Sequence, residues 1–221
     1  MSALRRAAAQ MLRLTGLYHP LRDLRRDRAF RAVSLKKVRL WQEAGRPAPP
    51  PDIVKYACIR RYAEQYGTPV MVETGTFHGD AIFTLRGAFR QIHSIELSEA
   101  LYRRAVLDLG HLPNLRLHLG DSTSELPRIV GTLDGPALYW LDGHFCSGPS
   151  ARGDKDTPVF EELTFLLGRP AGRSVVLIDD ARLFTGRDGY PTIEQLRAMA
   201  ASGRPEATFS VEEDIIRIAP V

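Results

Sequence analysis

Val70-Met71-Val72-Glu73-Thr74-Gly75-Thr76-Phe77-His78-Gly79-Asp80 is the stretch on which the fold turns. Three apolar residues, two of them β-branched, predict a short buried strand at 70–72. Two glycines then open a turn, and Asp80 starts a helix expected to reach residue 90. The same texture repeats downstream. Residues 92–95, 115–119, 137–141 and 175–178 read as strands. Residues 98–109, 124–131, 157–167 and 192–201 read as helices. Two further strands, 208–211 and 215–218, are joined by Glu-Glu-Asp as a tight antiparallel hairpin. Five strand–helix units closed by a hairpin predict an α/β fold. Its core is a Rossmann-like, mostly parallel seven-stranded sheet with helices on both faces and a C-terminal antiparallel hairpin.

Upstream, Asp52 is placed to cap a helix running to about residue 66. Before it, Gly45-Arg-Pro-Ala-Pro-Pro-Pro51 is a stiff extended linker, because proline fixes φ and removes a donor. It divides the chain into a helical arm with its linker, 1–51, and a main domain, 52–221. The arm is expected to hold helices at 3–14 and 21–44, with His19-Pro20 blocking a direct restart between them.

The chain has 221 residues, 44% hydrophobic and 25% charged, which excludes wholesale disorder. Two cysteines, Cys58 and Cys146, exclude a disulfide framework and a Cys-rich zinc site and suit a reducing compartment. No apolar run has bilayer-spanning length, and the N-terminus lacks the apolar centre of a secretory signal, so a cytoplasmic location is expected. The net charge of +4 is uneven. Residues 1–47 carry 12 Lys/Arg against 3 Asp/Glu, and the remainder carries 18 against 23. A basic arm suits nucleic acid, anionic lipid or an acidic partner; it equally suits a solvated helix packing its leucines on its own body or in a homodimer.

Ligands of such sheets bind at the carboxyl ends of the strands. After the first strand, Glu73 stands two residues before Gly75. This departs from the three-glycine dinucleotide turn, and a carboxylate there suits an ammonium better than a phosphate. Glu96, after the second strand and 21 residues beyond Gly75, is placed to accept the hydroxyls of a ribose. Glu73 as a loop cap and Glu96 as a solvated strand end are the plainer alternatives. Asp121, after the third strand, suits an adenine amino group or a helix cap. Asp142-Gly143-His144 follows the fourth strand and Asp179-Asp180 the fifth. Carboxylates this crowded repel unless a cation or proton joins them, and their hard oxygens suit Mg²⁺, Mn²⁺ or Ca²⁺.

Val72–Gly79, 92–97 (Ile-His-Ser-Ile-Glu-Leu), 119–122 (Leu-Gly-Asp-Ser), 141–144 (Leu-Asp-Gly-His) and 177–180 (Leu-Ile-Asp-Asp) together resemble the motif series of class I S-adenosylmethionine-dependent methyltransferases. The resemblance spans about residues 52–221. It implies that Glu73, Thr74, Gly75, Thr76, Phe77, Gly79, Glu96, Leu97, Asp121, Ser122 and Asp142 hold the methyl donor, with S-adenosylhomocysteine as product. Within the class, the acidic strand ends resemble the metal-dependent O-methyltransferases of catechol and macrocin type. That implies Mg²⁺ or another divalent cation on Asp142, Asp179 and Asp180. The catechol type has a lysine shortly after the fourth-strand Asp; here that stretch is Gly143-His144-Phe145-Cys146, so His144 becomes the candidate base beside Asp142. The implied acceptor is a small hydroxylated molecule: a sugar, phenol or natural product. Two other functions fit less well. An RNA methyltransferase gripping RNA with the basic arm lacks the Asn/Asp-Pro-Pro-aromatic turn after strand four. A non-catalytic nucleoside-binding protein has no need to crowd carboxylates at its strand ends.

Overall fold

The computed structural model describes residues 18–143, 157–169 and 172–221. The chain divides into two compact units, residues 1–46 and 47–221. The described part of the first unit is one helix, α1 (Tyr18–Glu43). His19-Pro20, expected to block a restart, lies within this helix. The helix expected at 3–14 lies outside the described residues. Leu24, Val33, Leu35 and Leu40 of α1 are exposed.

The second unit holds α2 (Asp52–Tyr66), β1 (Val70–Thr74), α3 (Asp80–Leu85), β2 (Gln91–Glu96), α4 (Glu99–Leu109), β3 (Leu115–Leu119), α5 (Ser122–Val130), β4 (Ala137–Leu141), α6 (Val159–Leu167), β5 (Val175–Ile178), a 3-10 turn (Ala181–Leu183), α7 (Ile193–Gly203), β6 (Thr208–Glu212) and β7 (Ile215–Ala219). The seven strands are ordered β3-β2-β1-β4-β5-β7-β6. The first five are parallel, and β7 runs antiparallel to both β5 and β6. Strands β1, β4, β5 and β7 are buried along their whole length, and β4 and β5 accordingly read as unbroken apolar runs. On one face Val72, Tyr139, Leu141, Val176 and Ile178 pack with Leu126 and Ile129 of α5, Leu163 and Leu166 of α6 and Leu196 of α7. On the other face α2 lies over β4 and β5. No helix among the described residues is long and apolar enough to cross a membrane.

Two local expectations change. Helix α3 stops at Leu85 instead of reaching residue 90. The Asn114 side chain donates to the carbonyls of Arg86 (2.8 Å) and Phe89 (2.9 Å), so residues 86–90 are held as a turn by a residue outside the segment. The hairpin link is two residues, not three, because Glu212 pairs with Ile215. Glu213 (φ 51°) and Asp214 (φ 62°) are both left-handed, the backbone that two-residue hairpins favour.

Candidate active site

Strand order reverses at β1, with β2 and β3 on one side and β4 and β5 on the other. This is where such sheets open a crevice. Glu73 pairs in register with Ser94 of β2 and Trp140 of β4. The ladders run on past the strand ends: Asp142 N–H donates to Thr74 O (3.1 Å) and Asp179 N–H to Leu141 O (3.0 Å). With side chains alternating along each strand, Glu73, Asp142 and Asp179 fall on the same face of the sheet, the one covered by α2.

The turn after β1 is set by close packing. Gly75 has φ +87°, and a Cβ there would sit 2.5 Å from the carbonyl oxygen of Asp142. Gly79, at φ +66° before α3, would place a Cβ 2.3 Å from Leu109 Cδ1. At Gly75 the backbone contact excludes a side chain; at Gly79 the left-handed φ disfavours one and Leu109 would have to shift. Gly75 N–H and Thr76 N–H donate to Ile95 O at 3.0 and 3.2 Å, tying the turn to β2. Phe77 is left-handed (φ 47°), and its exposed ring packs on His78 with centroids 3.9 Å apart.

Glu73 is buried, and its Oε2 accepts from Ser94 Oγ at 2.6 Å; Ser94 Oγ also meets Thr76 Oγ1 at 2.7 Å. Burial pushes the Glu73 carboxyl up to about 8 against the Ser94 hydrogen bond, with Glu96 adding repulsion. Glu96 is buried at the end of β2. Its Oε2 accepts Phe77 N–H (2.9 Å) and its Oε1 accepts Ser98 N–H (2.8 Å). Each oxygen keeps a lone pair, and the two backbone bonds fix its plane. Leu97 beside it is exposed. Asp121 caps α5, its Oδ1 accepting Thr123 N–H (2.7 Å) and Thr123 Oγ1–H (2.6 Å). The next residue, Ser122, is half-buried and opens that helix. Thr74 is fully buried at the end of β1.

Asp142, Asp179 and Asp180 do come together, as their positions predicted. The Asp142 carboxyl is held well above the usual range by burial and by repulsion from Asp179 and Asp180, with Lys55 opposing. Asp179, raised mainly by burial and then by Asp180, sits at about 6. The cation between them is one the sequence reading missed. Lys55 of α2 is 7% exposed, and its Nζ lies 2.6 Å from Asp179 Oδ1, 2.8 Å from Asp179 Oδ2 and 2.8 Å from Asp180 Oδ1. Burial pulls the Lys55 pKa down, but Asp179 and Asp180 outweigh it and the net shift is upward. Arg182 Nη1 donates to Asp180 Oδ1 (2.7 Å) and to Asp214, so the hairpin turn is tied to the same cluster. Tyr56, next to Lys55, is buried within the field of Glu73 and Asp142.

A divalent cation does not fit this arrangement. Among the described residues no group of three or more His, Cys, Asp and Glu side chains is disposed to hold a metal ion. Both Asp179 oxygens and Asp180 Oδ1 already accept from Lys55, and Asp180 Oδ1 accepts from Arg182 as well. The expectation of Mg²⁺ on Asp142, Asp179 and Asp180 thus finds no support among the described residues, where Lys55 meets Asp179 and Asp180. His144 lies outside the described residues. Beside the cluster is a small cleft whose lining includes Gly143, Thr157, Glu162, Asp179, Phe184 and Tyr190. Glu162 is buried with Oε1 unpaired; burial raises its carboxyl to about 7 against the nearby hydroxyls of Ser122 and Thr74.

No protein-family model and no curated protein matches the chain. Solved structures do. The O-methyltransferase TomG from Streptomyces achromogenes, involved in tomaymycin synthesis and solved with S-adenosylmethionine, matches at TM-score 0.52 and 17% identity, covering 85% of this chain and 89% of its own. An O-methyltransferase from Bacillus cereus, solved with S-adenosylhomocysteine, matches at 0.52 and 16%, covering 85% and 90%. The methyltransferase PaMTH1 of Podospora anserina, also bound to the demethylated product, matches at 0.51 and 16%, covering 76% and 78%. With its strand order and its acidic strand ends, the chain has the fold of the class I S-adenosylmethionine-dependent methyltransferases and resembles the O-methyltransferases among them.

Proposed function

We propose that the chain binds S-adenosylmethionine and transfers its methyl group to a hydroxyl oxygen of a small acceptor such as a sugar, phenol or natural product. One observation carries this reading. Two buried carboxylates, Glu73 and Glu96, flank the Gly75 turn where the strand order reverses, and Glu96 is held in plane by two backbone N–H groups. Among the described residues neither has a salt-bridge partner; buried carboxylates are costly on their own, and a cationic, hydroxyl-rich ligand satisfies both.

Glu73 would take the ammonium of the donor and Glu96 its ribose hydroxyls. Thr74, Gly75, Thr76, Phe77, Gly79 and Leu97 would wall the donor, and Asp121 and Ser122 its base. When bound, the donor supplies an electrophilic methyl group on a sulfonium. The chain then has three tasks. It holds the acceptor oxygen in line with that methyl group, which supplies much of the rate. It excludes water. It takes the acceptor proton, a task we assign to Asp142 and His144 by their place after β4. The acceptor would approach from the side of Asp179 and Tyr190 in this reading.

Titration calorimetry tests it. S-adenosylmethionine and S-adenosylhomocysteine should both bind and NAD should not; absence of binding by either nucleoside refutes the proposal. A methyl-release assay across hydroxylated acceptors then tests the oxygen preference.

A further inference from the structure

We propose that Lys55 is the resident cation of this site, a positioning residue whose ammonium stands between Asp179 and Asp180 in place of a divalent ion, so that methyl transfer needs no metal. The inference deepens the methyltransferase reading and rests on it for the meaning of the acceptor side.

The oxygen inventory is the first argument. A divalent ion of Mg²⁺ or Mn²⁺ type takes about six oxygens with free lone pairs in a tight shell. Here Asp179 Oδ1 and Oδ2 both lie within 2.8 Å of Lys55 Nζ, and Oδ1 also accepts Asp180 N–H at 2.7 Å. Asp180 Oδ1 accepts from Lys55 at 2.8 Å and from Arg182 at 2.7 Å. Three of the four oxygens of the Asp179–Asp180 pair are thus engaged by donors built into the chain.

The second argument is anchoring. Lys55 stands in the first turns of α2 next to Tyr56, with Cys58 and Ile59 beyond, all buried. That helix packs over β4 and β5, the two strands that end in the carboxylates. For a metal to enter, a buried ammonium must leave two carboxylates and find solvent from a fixed helix. Removing one partner of a buried ion pair is strongly unfavourable.

The consequence concerns chemistry and specificity together. An ammonium whose protons point at Asp179 and Asp180 does not polarise an acceptor hydroxyl as a Lewis acid would. Its work is to hold those carboxylates close and ionised, so that they hydrogen-bond and orient the acceptor. An acceptor therefore needs one hydroxyl, not the vicinal oxygens that chelation demands.

The test uses the full chain stripped with a chelator and titrated with Mn²⁺, read by the electron paramagnetic resonance signal of free Mn²⁺ and by calorimetry. Wild type should show no stoichiometric binding up to about 1 mM. Lys55→Ala frees the carboxylates and should bind one Mn²⁺ at least about tenfold more tightly than wild type, a gain abolished by adding Asp179→Asn. Lys55→Arg, which keeps the charge, should gain nothing. If Lys55→Ala is too unstable to titrate, Lys55→Met is the second variant, and Mn²⁺ should raise its melting temperature while leaving that of wild type unchanged. One Mn²⁺ bound by wild type and lost in Asp179→Asn overturns the proposal. So does a Lys55→Ala or Lys55→Met protein that folds and binds Mn²⁺ no better than wild type. None of these readouts depends on turnover. Failure to bind S-adenosylhomocysteine would remove the methyltransferase reading and leave the Mn²⁺ result standing.

Discussion

Glu73→Gln should flatten the pH dependence of stability on the alkaline side. In the folded chain burial raises the Glu73 carboxyl from 4.5 to about 8. Between those values the folded state keeps a proton that the unfolded state has lost. Where the native state binds more protons, stability falls as pH rises. The Glu73 contribution is thus fully present below about 4.5 and gone once pH passes the folded value of about 8. One proton corresponds to about 1.4 kcal/mol per pH unit, so from pH 5.5 to 7.5 the loss from this group is about 3 kcal/mol. Glutamine keeps an oxygen to accept from Ser94 and carries no charge, so the variant lacks that loss. Glu162 and Asp179, also raised, act in the same direction in both proteins. His93, drawn down to about 4 mainly by burial, acts oppositely and only in acid. These contributions cancel in the difference between variant and wild type. Urea denaturation at half-unit pH steps measures that difference, which should grow by about 1.4 kcal/mol per unit and level off above pH 8. Parallel stability curves would mean that Glu73 is not buried as a neutral acid, and the ammonium reading would lose its basis. Saturating S-adenosylhomocysteine should reduce the alkaline loss in wild type only, because its ammonium pairs with the ionised form.

The remaining predictions concern single contacts. Glu96→Ala should weaken S-adenosylhomocysteine binding by at least about tenfold in calorimetry, since charge-assisted hydrogen bonds contribute about 1.5–3 kcal/mol each. Gly75→Ala should destabilise by about 2 kcal/mol or more, from a left-handed φ and a contact with Asp142 O. Gly135→Ala, with nothing within 4 Å of the added Cβ, should be close to neutral in the same thermal melt. Deleting residues 1–46 should leave donor affinity within about threefold, because every proposed donor residue belongs to the unit 47–221; a larger loss would put the arm in the donor site.

The centre of the sheet was legible because β4 and β5 are buried along their whole length and therefore read as apolar runs between turn signals. What escaped was set by distant partners or by backbone detail. Nothing within residues 80–90 announces that Asn114 will take the carbonyls of Arg86 and Phe89 and stop α3 at Leu85. The hairpin turn was placed correctly but one residue too long, because Glu213 and Asp214 are not the residues usually chosen for positive φ. Their conformation is supported from outside: Asp214 O accepts Ala181 N–H at 2.8 Å and Asp214 Oδ1 accepts Arg182 N–H at 2.8 Å.

The site shows the same division between what strand ends reveal and what the third dimension adds. Glu73, Glu96, Asp121, Asp142, Asp179 and Asp180 were found by reading the residue after each strand, and the parallel register brings the ends together. Ligand type alone then favoured a metal, since hard oxygens attract hard cations. An ammonium satisfies the same oxygens, however, and it came from 124 residues upstream of Asp179. A faint signal was present. Lys55 is the single charged residue in Ile53-Val-Lys-Tyr-Ala-Cys-Ile59, a run that otherwise reads as a buried helix face. A lysine enclosed by apolar neighbours is rarely buried without a carboxylate partner. Pairing that lone base with the unexplained acidic pair after β5 would have assigned the cation from sequence. The same reasoning extends to Arg182, two residues beyond Asp180, which joins the cluster to Asp214 of the hairpin. Asp179, Asp180 and Asp214 are thus met by two basic side chains, one from the helix before the sheet and one from the turn that follows β5.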